Sequence, residues 1–476
     1  MTPEEAVSPV PAPAPVSVSG FRALRPTRGD IGTLIRLAFP VAVIQVGMMA
    51  MGAVDTIMVG RVSATDLAAV ALGVIYFFGV AVFGMGVLFA LDPVISQAVG
   101  GDDRVGVARG VQRGLLLAVA LTVVASLALL PTGSVLRFMR QPEEVVPVAA
   151  GYAVAMIAGV FPFYGFNVFR QSLQAMSTVG PILVTVILAN LFNAFCNWVL
   201  VFGNLGFPAM GAVGSGWATS LSRWFMMLML LGLAWPLLRP TLWPLRREAA
   251  AMGPLVRFLR LGAPIGVHQW LEFGVFGAAG LFMGWLGTVA VAGHQIALNL
   301  AALTFMVPVG IAQAASVLVG QAVGREDPPA ARRAAGAGHV VGLGFMTCTA
   351  LMFLTVPEGL ARLYTSDTAV MAMAATLIPV AGIFQVFDGL QVVASGTLRG
   401  VGDTRVPMLV SLVGFWVVGL PLGFWLAFGR EMGPVGLWWG LAAGLAVVGV
   451  LLAFRVRARF GRALRRLVMD DEGHAA

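Results

Sequence analysis

Lysine is absent from this chain: all 30 basic residues are arginine. Cysteine occurs twice, as Cys196 and Cys348, and histidine four times. Two cysteines inside apolar runs cannot build a disulfide scaffold and are expected to be small core residues. No C-x-x-C, no H-E-x-x-H and no Walker P-loop occurs, so the sequence carries no sign of redox, zinc-protease or ATP-driven chemistry, and no enzyme and no cofactor are expected. Charge is also scarce. Asp, Glu, Lys and Arg make up 11% of the residues, where a soluble protein has about 25%. Hydrophobic residues make up 59% instead. That composition excludes a soluble enzyme and a disordered protein, and it leaves a polytopic helical membrane protein.

The formal net charge of +8 would suggest nucleic acid in a soluble chain. Here the arginines alternate with the apolar runs. Arg61, Arg137, Arg140, Arg362 and Arg430 fall on one side, Arg223 falls within a span, and the others fall on the opposite side together with both tails. Arginine collects in cytoplasmic loops. The expectation is an even number of spans, both termini in the cytoplasm, a bilayer as partner and no nucleic acid.

A membrane helix needs roughly 20 apolar residues. Two charge-free runs, Gln171–Ser222 and Phe273–Gly324, are each 52 residues long and must fold back once. Gly203-Asn204-Leu205-Gly206 with Pro208, and Gly284-Trp285-Leu286-Gly287, mark the reversals. Twelve spans are predicted, at 34–60, 67–97, 110–132, 146–170, 181–203, 212–237, 256–284, 291–321, 333–356, 370–398, 406–428 and 434–455. The Arg239–Arg257 connection between spans 6 and 7 is the longest basic loop. Beyond span 12, six arginines from Arg455 to Arg466 interleave with Phe460, Leu464, Leu467 and Val468. Both an amphipathic helix on the inner leaflet and a solvated basic tail fit that pattern.

The two halves repeat. Arg36-Leu37-Ala38-Phe39-Pro40 corresponds to Arg260-Leu261-Gly262-Ala263-Pro264, and Gln97-Ala98-Val99-Gly100 to Gln321-Ala322-Val323-Gly324, both at an offset of 224 with no gap. Asp102-Asp103 corresponds to Glu326-Asp327 at the same offset. Six spans per repeat return the chain to its starting side, so the repeats run parallel, related by an axis along the membrane normal. The expected fold is all-α, with 12 transmembrane helices in two pseudo-symmetric six-helix bundles. The expected division is a tail at 1–30, an N-terminal lobe at 31–238, an inter-lobe loop at 239–253, a C-terminal lobe at 254–455 and a basic tail at 456–476. Pro40, followed by Gly47 and Gly52, marks span 1 as the helix most able to bend.

Four carboxylates lie inside spans: Asp55, Asp92, Glu272 and Asp388. A charge in hydrocarbon costs at least about 2.5–3.5 kcal/mol, which makes Asp55, Glu272 and Asp388 functional candidates. Asp92, just before Pro93, is expected to reach the interface or cap a broken turn. A dehydrated carboxylate is stable when neutralised, either by a proton or by Na+ with amide and hydroxyl oxygens around it. Either state removes the charge that attracts a cationic guest, which is the basis of antiport. Asn193 and Asn197 share a helix face in span 5, Gln295 and Asn299 share one in span 8, and Thr219 lies in span 6. These groups fit an oxygen cage, and they fit interhelical hydrogen bonds equally. His268, one turn before Glu272, is expected to lock the glutamate by a hydrogen bond or to relay protons. Phe77, Phe78, Phe161, Phe163, Tyr164 and Phe387 fit an aromatic pocket for flat cations, and also an ordinary core.

Val54-Asp55-Thr56-Ile57-Met58-Val59-Gly60 after Pro40, Ala292-Gly293-His294-Gln295-Ile296-Ala297-Leu298-Asn299, and Thr397-Leu398-Arg399-Gly400-Val401-Gly402-Asp403-Thr404 resemble segments of the multidrug and toxic compound extrusion (MATE) family. The likeness runs from about Leu34 to Phe454 and is strongest to the NorM-type branch. The resemblance implies a cation antiporter of the bacterial inner membrane, exporting cationic amphiphilic drugs and dyes against Na+ or H+; nothing in the sequence demands more than a monomer. It implies cation coupling, with possible Na+ binding, at Glu272 and Asp388, and a second site at Asp55 with Asn193, Asn197 and Thr219. Asp92 and His268 depart from the family pattern. The rival reading, a flippase for lipid-linked sugars, calls for a basic cleft, whereas the sequence places four acids and one arginine, Arg223, within spans.

Overall fold

The computed structural model describes residues 24–470, and among them helices dominate and no strand occurs. In chain order the helices are α1 (Arg28–Val59), α2 (Ala64–Leu88), α3 (Leu91–Gly100), α4 (Arg104–Leu129), α5 (Thr132–Phe138), α6 (Val146–Ile157), α7 (Val160–Ala175), α8 (Gly180–Leu200), α9 (Gly211–Leu233) and α10 (Trp235–Leu242). The second half holds α11 (Met252–Trp285), α12 (Thr288–Gly324), α13 (Pro328–Thr355), α14 (Pro357–Arg362), α15 (Thr368–Gly400), α16 (Arg405–Gly429) and α17 (Gly433–Phe460). Most of the predicted 1–30 tail lies outside the described residues, and α1 already begins at Arg28.

Nine of these stretches are long and apolar enough to cross a bilayer by themselves, α2 and α3 counting as one, and two bent pairs raise the number to eleven among the described residues. The remaining predicted span, the seventh (256–284), is α11, a continuous helix of 34 residues. Its His268, Gln269 and Glu272 dilute the apolar signal. Exposed side chains such as Phe39, Val124, Leu191 and Leu281 give the bundle the apolar exterior that lipid requires.

The breaks have local causes. α6 and α7 meet at 49° next to Pro162. Proline has no N–H to offer the carbonyl four residues back. That carbonyl, on Ala158, accepts instead from Trp224 Nε1 at 3.0 Å. α10 turns 91° from α9 and packs against α4, so span 6 ends earlier than predicted and part of the basic connection is helical. The Gly203–Gly206 reversal is a true turn, with φ of 75° at Gly203 and 84° at Gly206, conformations that glycine adopts without strain. α1, by contrast, is continuous through Pro40.

The duplication is visible in how helices start and cross. Asp102 and Glu326 both adopt left-handed φ, 51° and 56°. The next residue in each repeat, Asp103 or Asp327, caps the following helix through the backbone N–H of Gly106 or Ala330. The bundles meet along a seam where α1 packs on α12 and α13, α2 on α11, and α3 on α12. A Cβ on Gly86 would stand 2.6 Å from Gly266 Cα, and one on Gly310 would stand 2.7 Å from Ala42 N. Farther along, a Cβ on Gly100 would stand 2.1 Å from the Gln321 oxygen and one on Gly324 would stand 2.1 Å from the Gln97 oxygen. Within each pair of crossings, an offset of 224 carries one contact onto the other. Leu34, Leu37 and Ala38 complete the seam by packing with Ile311, Ala314 and Ala315.

The C-terminal segment forms neither a helix on the leaflet nor a free tail. After Phe460 it is non-helical up to residue 470 and crosses to the first bundle. Leu467 N–H donates to Gln97 Oε1 at 2.7 Å, Arg466 pairs with Asp103 at 2.9 Å, and Asp470 pairs with Arg109 and the buried Arg113. Cys196 is buried as expected, but Cys348 is exposed on α13 and is not a core residue.

Two outcomes follow. Gly324→Val overpacks the seam and is expected to destabilise the protein by about 1–3 kcal/mol, whereas Gly344→Ala, with nothing within 4 Å of its Cβ, leaves it unchanged; thermal unfolding in detergent reads both. Ending the chain at Gly461 removes the crossing contacts and is expected to lower the unfolding midpoint by a few degrees in the same assay.

Candidate functional site

In the first bundle, α1 carries Asp55 to the interior. Its Oδ1 accepts from Asn197 Nδ2 at 2.7 Å and its Oδ2 from Thr219 Oγ1 at 2.9 Å. Asn197, on α8, also donates to the Asn193 backbone oxygen one turn earlier. The Asn193 side chain is fully buried beside Asp55, with neither amide atom in hydrogen-bond geometry. The predicted group is therefore brought together, as a carboxylate held by neutral donors. Asp55 and Thr219 line a chamber of about 740 Å³ with Met48, Met51, Phe78, Tyr152, Phe163 and Arg223. Of the predicted aromatics, Phe78 and Phe163 reach this chamber. Phe77 and Tyr164 pack behind it in the first bundle's core, and Phe387 packs against the core of the second.

In the second bundle, α11 supplies Glu272 and α15 supplies Asp388. One amide joins them: Gln391 Nε2 donates to Glu272 Oε1 at 3.1 Å and to Asp388 Oδ1 at 3.3 Å. Sequence reasoning passed over Gln391. Its signal was the spacing of three from Asp388, which puts both residues on one helix face. Glu272 and Asp388 line a chamber of about 890 Å³ with Phe273, Phe276, Phe305 and Phe384. Glu272 and Gln269 also line a second cavity, of about 660 Å³, with His268, Gln391, Arg399 and Asp403. Glu272 is thus the carboxylate at the junction of two spaces, while Asp388 faces one of them.

Other predicted members do not join. His268 lines the second cavity but makes no hydrogen bond to Glu272, and its Nε2 has no partner, so the expected lock is not formed. Gln295 is exposed and Asn299 half-buried on α12, and neither bonds a carboxylate. A helix repeat of 3.6 residues puts them on one face, but neither lines the chamber that Glu272 and Asp388 share.

Asp92 neither reaches the interface nor caps a turn through its side chain. It is buried at the start of α3 and pairs with Arg399 of the second bundle at 3.3 Å, without hydrogen-bond alignment. Arg399 also lies over the Phe89 ring at 5.3 Å. Arg170, taken as a span-end cation, is buried as well, donating to Gln45 Oε1 and Asn167 Oδ1 at 3.0 Å each. The count of a single intramembrane arginine is therefore corrected upward by Arg170 and Arg399. What remains distinctive is position. Among the described residues, no arginine lies within salt-bridge distance of Asp55, Glu272 or Asp388, whereas Asp92 and Asp403 each have one. No cluster of three or more His, Cys, Asp or Glu capable of holding a metal occurs among the described residues.

Known proteins share this architecture. The chain is 38% identical over 444 residues to a probable multidrug resistance protein NorM from Mesorhizobium japonicum, covering 90% of this chain and 94% of that one. It is 35% identical over 432 residues to the multidrug resistance protein MdtK of Edwardsiella ictaluri, covering 89% and 94%. Among solved structures, a eukaryotic MATE transporter superposes with a TM-score of 0.83 at 22% identity, covering 91% of this chain and 98% of that one. An outward-facing multidrug resistance MATE transporter gives a TM-score of 0.81 at 20% identity, covering 92% and 98%. The MatE family profile matches residues 40–199 and 264–425, one segment in each repeat. The chain belongs to the multidrug and toxic compound extrusion family.

Proposed function

We propose that this protein is a multidrug efflux antiporter that exports organic, mostly cationic amphiphiles in exchange for Na+ or H+ by alternating access. One observation carries the reading: Asp55 in the first bundle and the Glu272–Asp388 pair in the second each border a chamber, held by amide or hydroxyl donors, and among the described residues no arginine lies within salt-bridge distance of them. An unpaired carboxylate in a dry bundle calls for an exchangeable positive charge. In this reading a small ion neutralises Glu272 and Asp388 while the seam is closed at the Gly100 and Gly324 crossing. Rocking of the bundles then opens the other side and lets an organic cation replace the ion. Glu272, bordering two cavities, is where the ion enters or leaves. Asp55, held by Asn197 and Thr219 with Asn193 beside it, takes the cargo's positive end.

The relatives' names, which speak of multidrug resistance, support the substrate class. The lobes extend over 31–238 and 254–455, the latter reaching past the match at 264–425. The bacterial relatives support the inner membrane, and the arginine asymmetry supports both termini in the cytoplasm. A monomer suffices, because one chain supplies both bundles and both sites.

Efflux of ethidium from proteoliposomes under an imposed Na+ or pH gradient, one at a time, tests the proposal. Asp388→Asn and Glu272→Gln are expected to reduce gradient-driven efflux to background while the protein still accumulates; normal efflux by both rejects the carboxylate mechanism. Gln391→Leu removes the donor shared by both carboxylates. A hydrogen bond to a charged group is worth about 1.5–3 kcal/mol, so the ion concentration for half-maximal efflux is expected to shift about tenfold or more. An unchanged ion dependence would show the amide to be incidental.

A further inference from the structure

Asp92 and Arg399 are left over by the ion and cargo sites, and they meet where the two bundles touch. Arg399, near the end of α15, reaches out of the second bundle into the first. Its Nε stands 3.3 Å from Asp92 Oδ2, and its guanidinium carbon stands 5.3 Å from the centre of the Phe89 ring. The Asp92 side chain is 1% exposed, and among the described residues neither of its carboxylate oxygens accepts a hydrogen bond. Within its own bundle, Arg399 Nε reaches Ser316 Oγ at 3.5 Å. The other arginine near Asp92, Arg170, lies on α7 of the first bundle and is held there by Gln45 and Asn167. Asp92 and Arg170 therefore move together, and Arg399 is the partner that leaves Asp92 when the bundles separate.

The same crossing carries two neutral clamps. Gln97 of the first bundle donates through Nε2 to the Gly400 backbone oxygen of the second at 2.9 Å. Gln321 of the second bundle donates to the Ala175 backbone oxygen of the first at 2.8 Å and to Ser177 Oγ at 3.0 Å. Gln97 and Gln321 are related by the offset of 224, and their acceptors fall within one residue of it, so each bundle grips a helix end of the other. The charge pair has no such copy: at the same offset Ser316 stands in place of Asp92, and Ala175 in place of Arg399. Neutral hydrogen bonds are readily exchanged for bonds to water as a seam opens. A buried ion pair is costly to break while either charge stays dry, and far less so once water reaches both. Such a contact favours a closed or an open seam over anything between.

We propose that Asp92 and Arg399 form a charge lock on the cytoplasmic gate. Paired, they hold the bundles together on the side of the Gly100 and Gly324 crossing; parted and hydrated, they belong to the inward-open form. They set the balance between the two forms and touch neither ion nor cargo. This inference rests on the alternating-access reading of the seam.

Ser395 supplies the probe. It lies on α15 four residues from both Gln391 and Arg399, lines the cavity that Glu272 and Arg399 share, and has a buried hydroxyl oxygen. The parent protein is the full chain with Ser395→Cys, Cys196→Ala and Cys348→Ala. In inside-out membrane vesicles a membrane-impermeant thiol reagent reads how often the cytoplasmic side opens. Asp92→Asn and Arg399→Gln each remove one charge and are expected to raise the resting labelling rate at least about tenfold. The exchanged pair, Asp92→Arg with Arg399→Asp, is expected to bring the rate back toward that of the parent, a rescue that a purely local packing role does not produce. Parent-like rates in both single variants overturn the lock, as does an exchanged pair that labels no more slowly than they do. Should neither single variant accumulate, Asp92→Glu and Arg399→Lys decide: both keep the charges and alter the geometry, both are expected to label faster than the parent, and parent rates in both overturn the lock. A parent that stays unlabelled even while ethidium is being transported rejects the rocking mechanism, and the lock with it. A parent labelled during transport, with variants that keep its resting rate, overturns the lock alone.

Discussion

A carboxylate in a dry helix bundle must be neutralised, and the structure handles that constraint in two different ways. Asp92 and Asp403 each have an arginine within ion-pair distance, Arg399 and Arg455. Asp55, Glu272 and Asp388 receive an asparagine, a threonine or a glutamine instead. Neutral donors orient a carboxylate and offset part of its desolvation, but they do not remove its charge. In the proposed antiport, the residual demand for a cation ties these three residues to transport and leaves the paired acids to hold helices together. Arginine pairing, more than burial, separates the two classes, since Asp92 is as deeply buried as any of them.

The scaffold is symmetric and the chemistry is not. The crossings at Gly86 and Gly310, and at Gly100 and Gly324, are copies of each other, as are the helix starts at Asp103 and Asp327. At the same offset, however, the position of Glu272 holds Met48 and that of Asp55 holds Ala279. Met48 still lines the first chamber, so the duplicated position still faces an interior space while its charge is gone. Two similar halves that rock against each other, as the proposed mechanism has them do, need matching surfaces where they touch. Nothing requires matching side chains within their chambers, and this freedom lets one chain carry two unlike sites.

Much of this was legible in the residues alone. Spans, reversals and the duplication follow from apolar length, turn chemistry and a gapless offset, all of which are local or periodic. The Asp55 group was legible because Asn193 and Asn197 share a face and polar groups in lipid seek one another. What was hidden depends on contacts between distant segments. Arg399 looked like a loop-end cation until α3 of the first bundle brought Asp92 to it, a pairing 307 positions apart. The tail fitted a leaflet helix and a solvated basic tail alike, because alternation of arginine and apolar residues does not tell them apart from a docked strap; Gln97, Asp103 and Arg113 offered it a better surface. His268 shows the limit of spacing arguments, since a separation of four places two residues on one face without making them touch.

The two chambers also differ in polarity, and in the proposed antiport this bears on how one molecule keeps ion and cargo apart. The second-bundle chamber presents Glu272 and Asp388 with no arginine in its wall, so it suits a small cation taken without a counter-anion. The first-bundle chamber sets Arg223 in the same wall as Asp55, which lowers its attraction for a bare ion by Coulomb repulsion. A larger guest that brings its own aromatic surface is less affected, because burial of apolar area against phenylalanine and methionine adds to its binding. Na+ or H+ has no such area to bury. An arginine placed beside an acid therefore favours the bulky guest over the ion, and leaving it out of the chamber that Glu272 and Asp388 share favours the reverse.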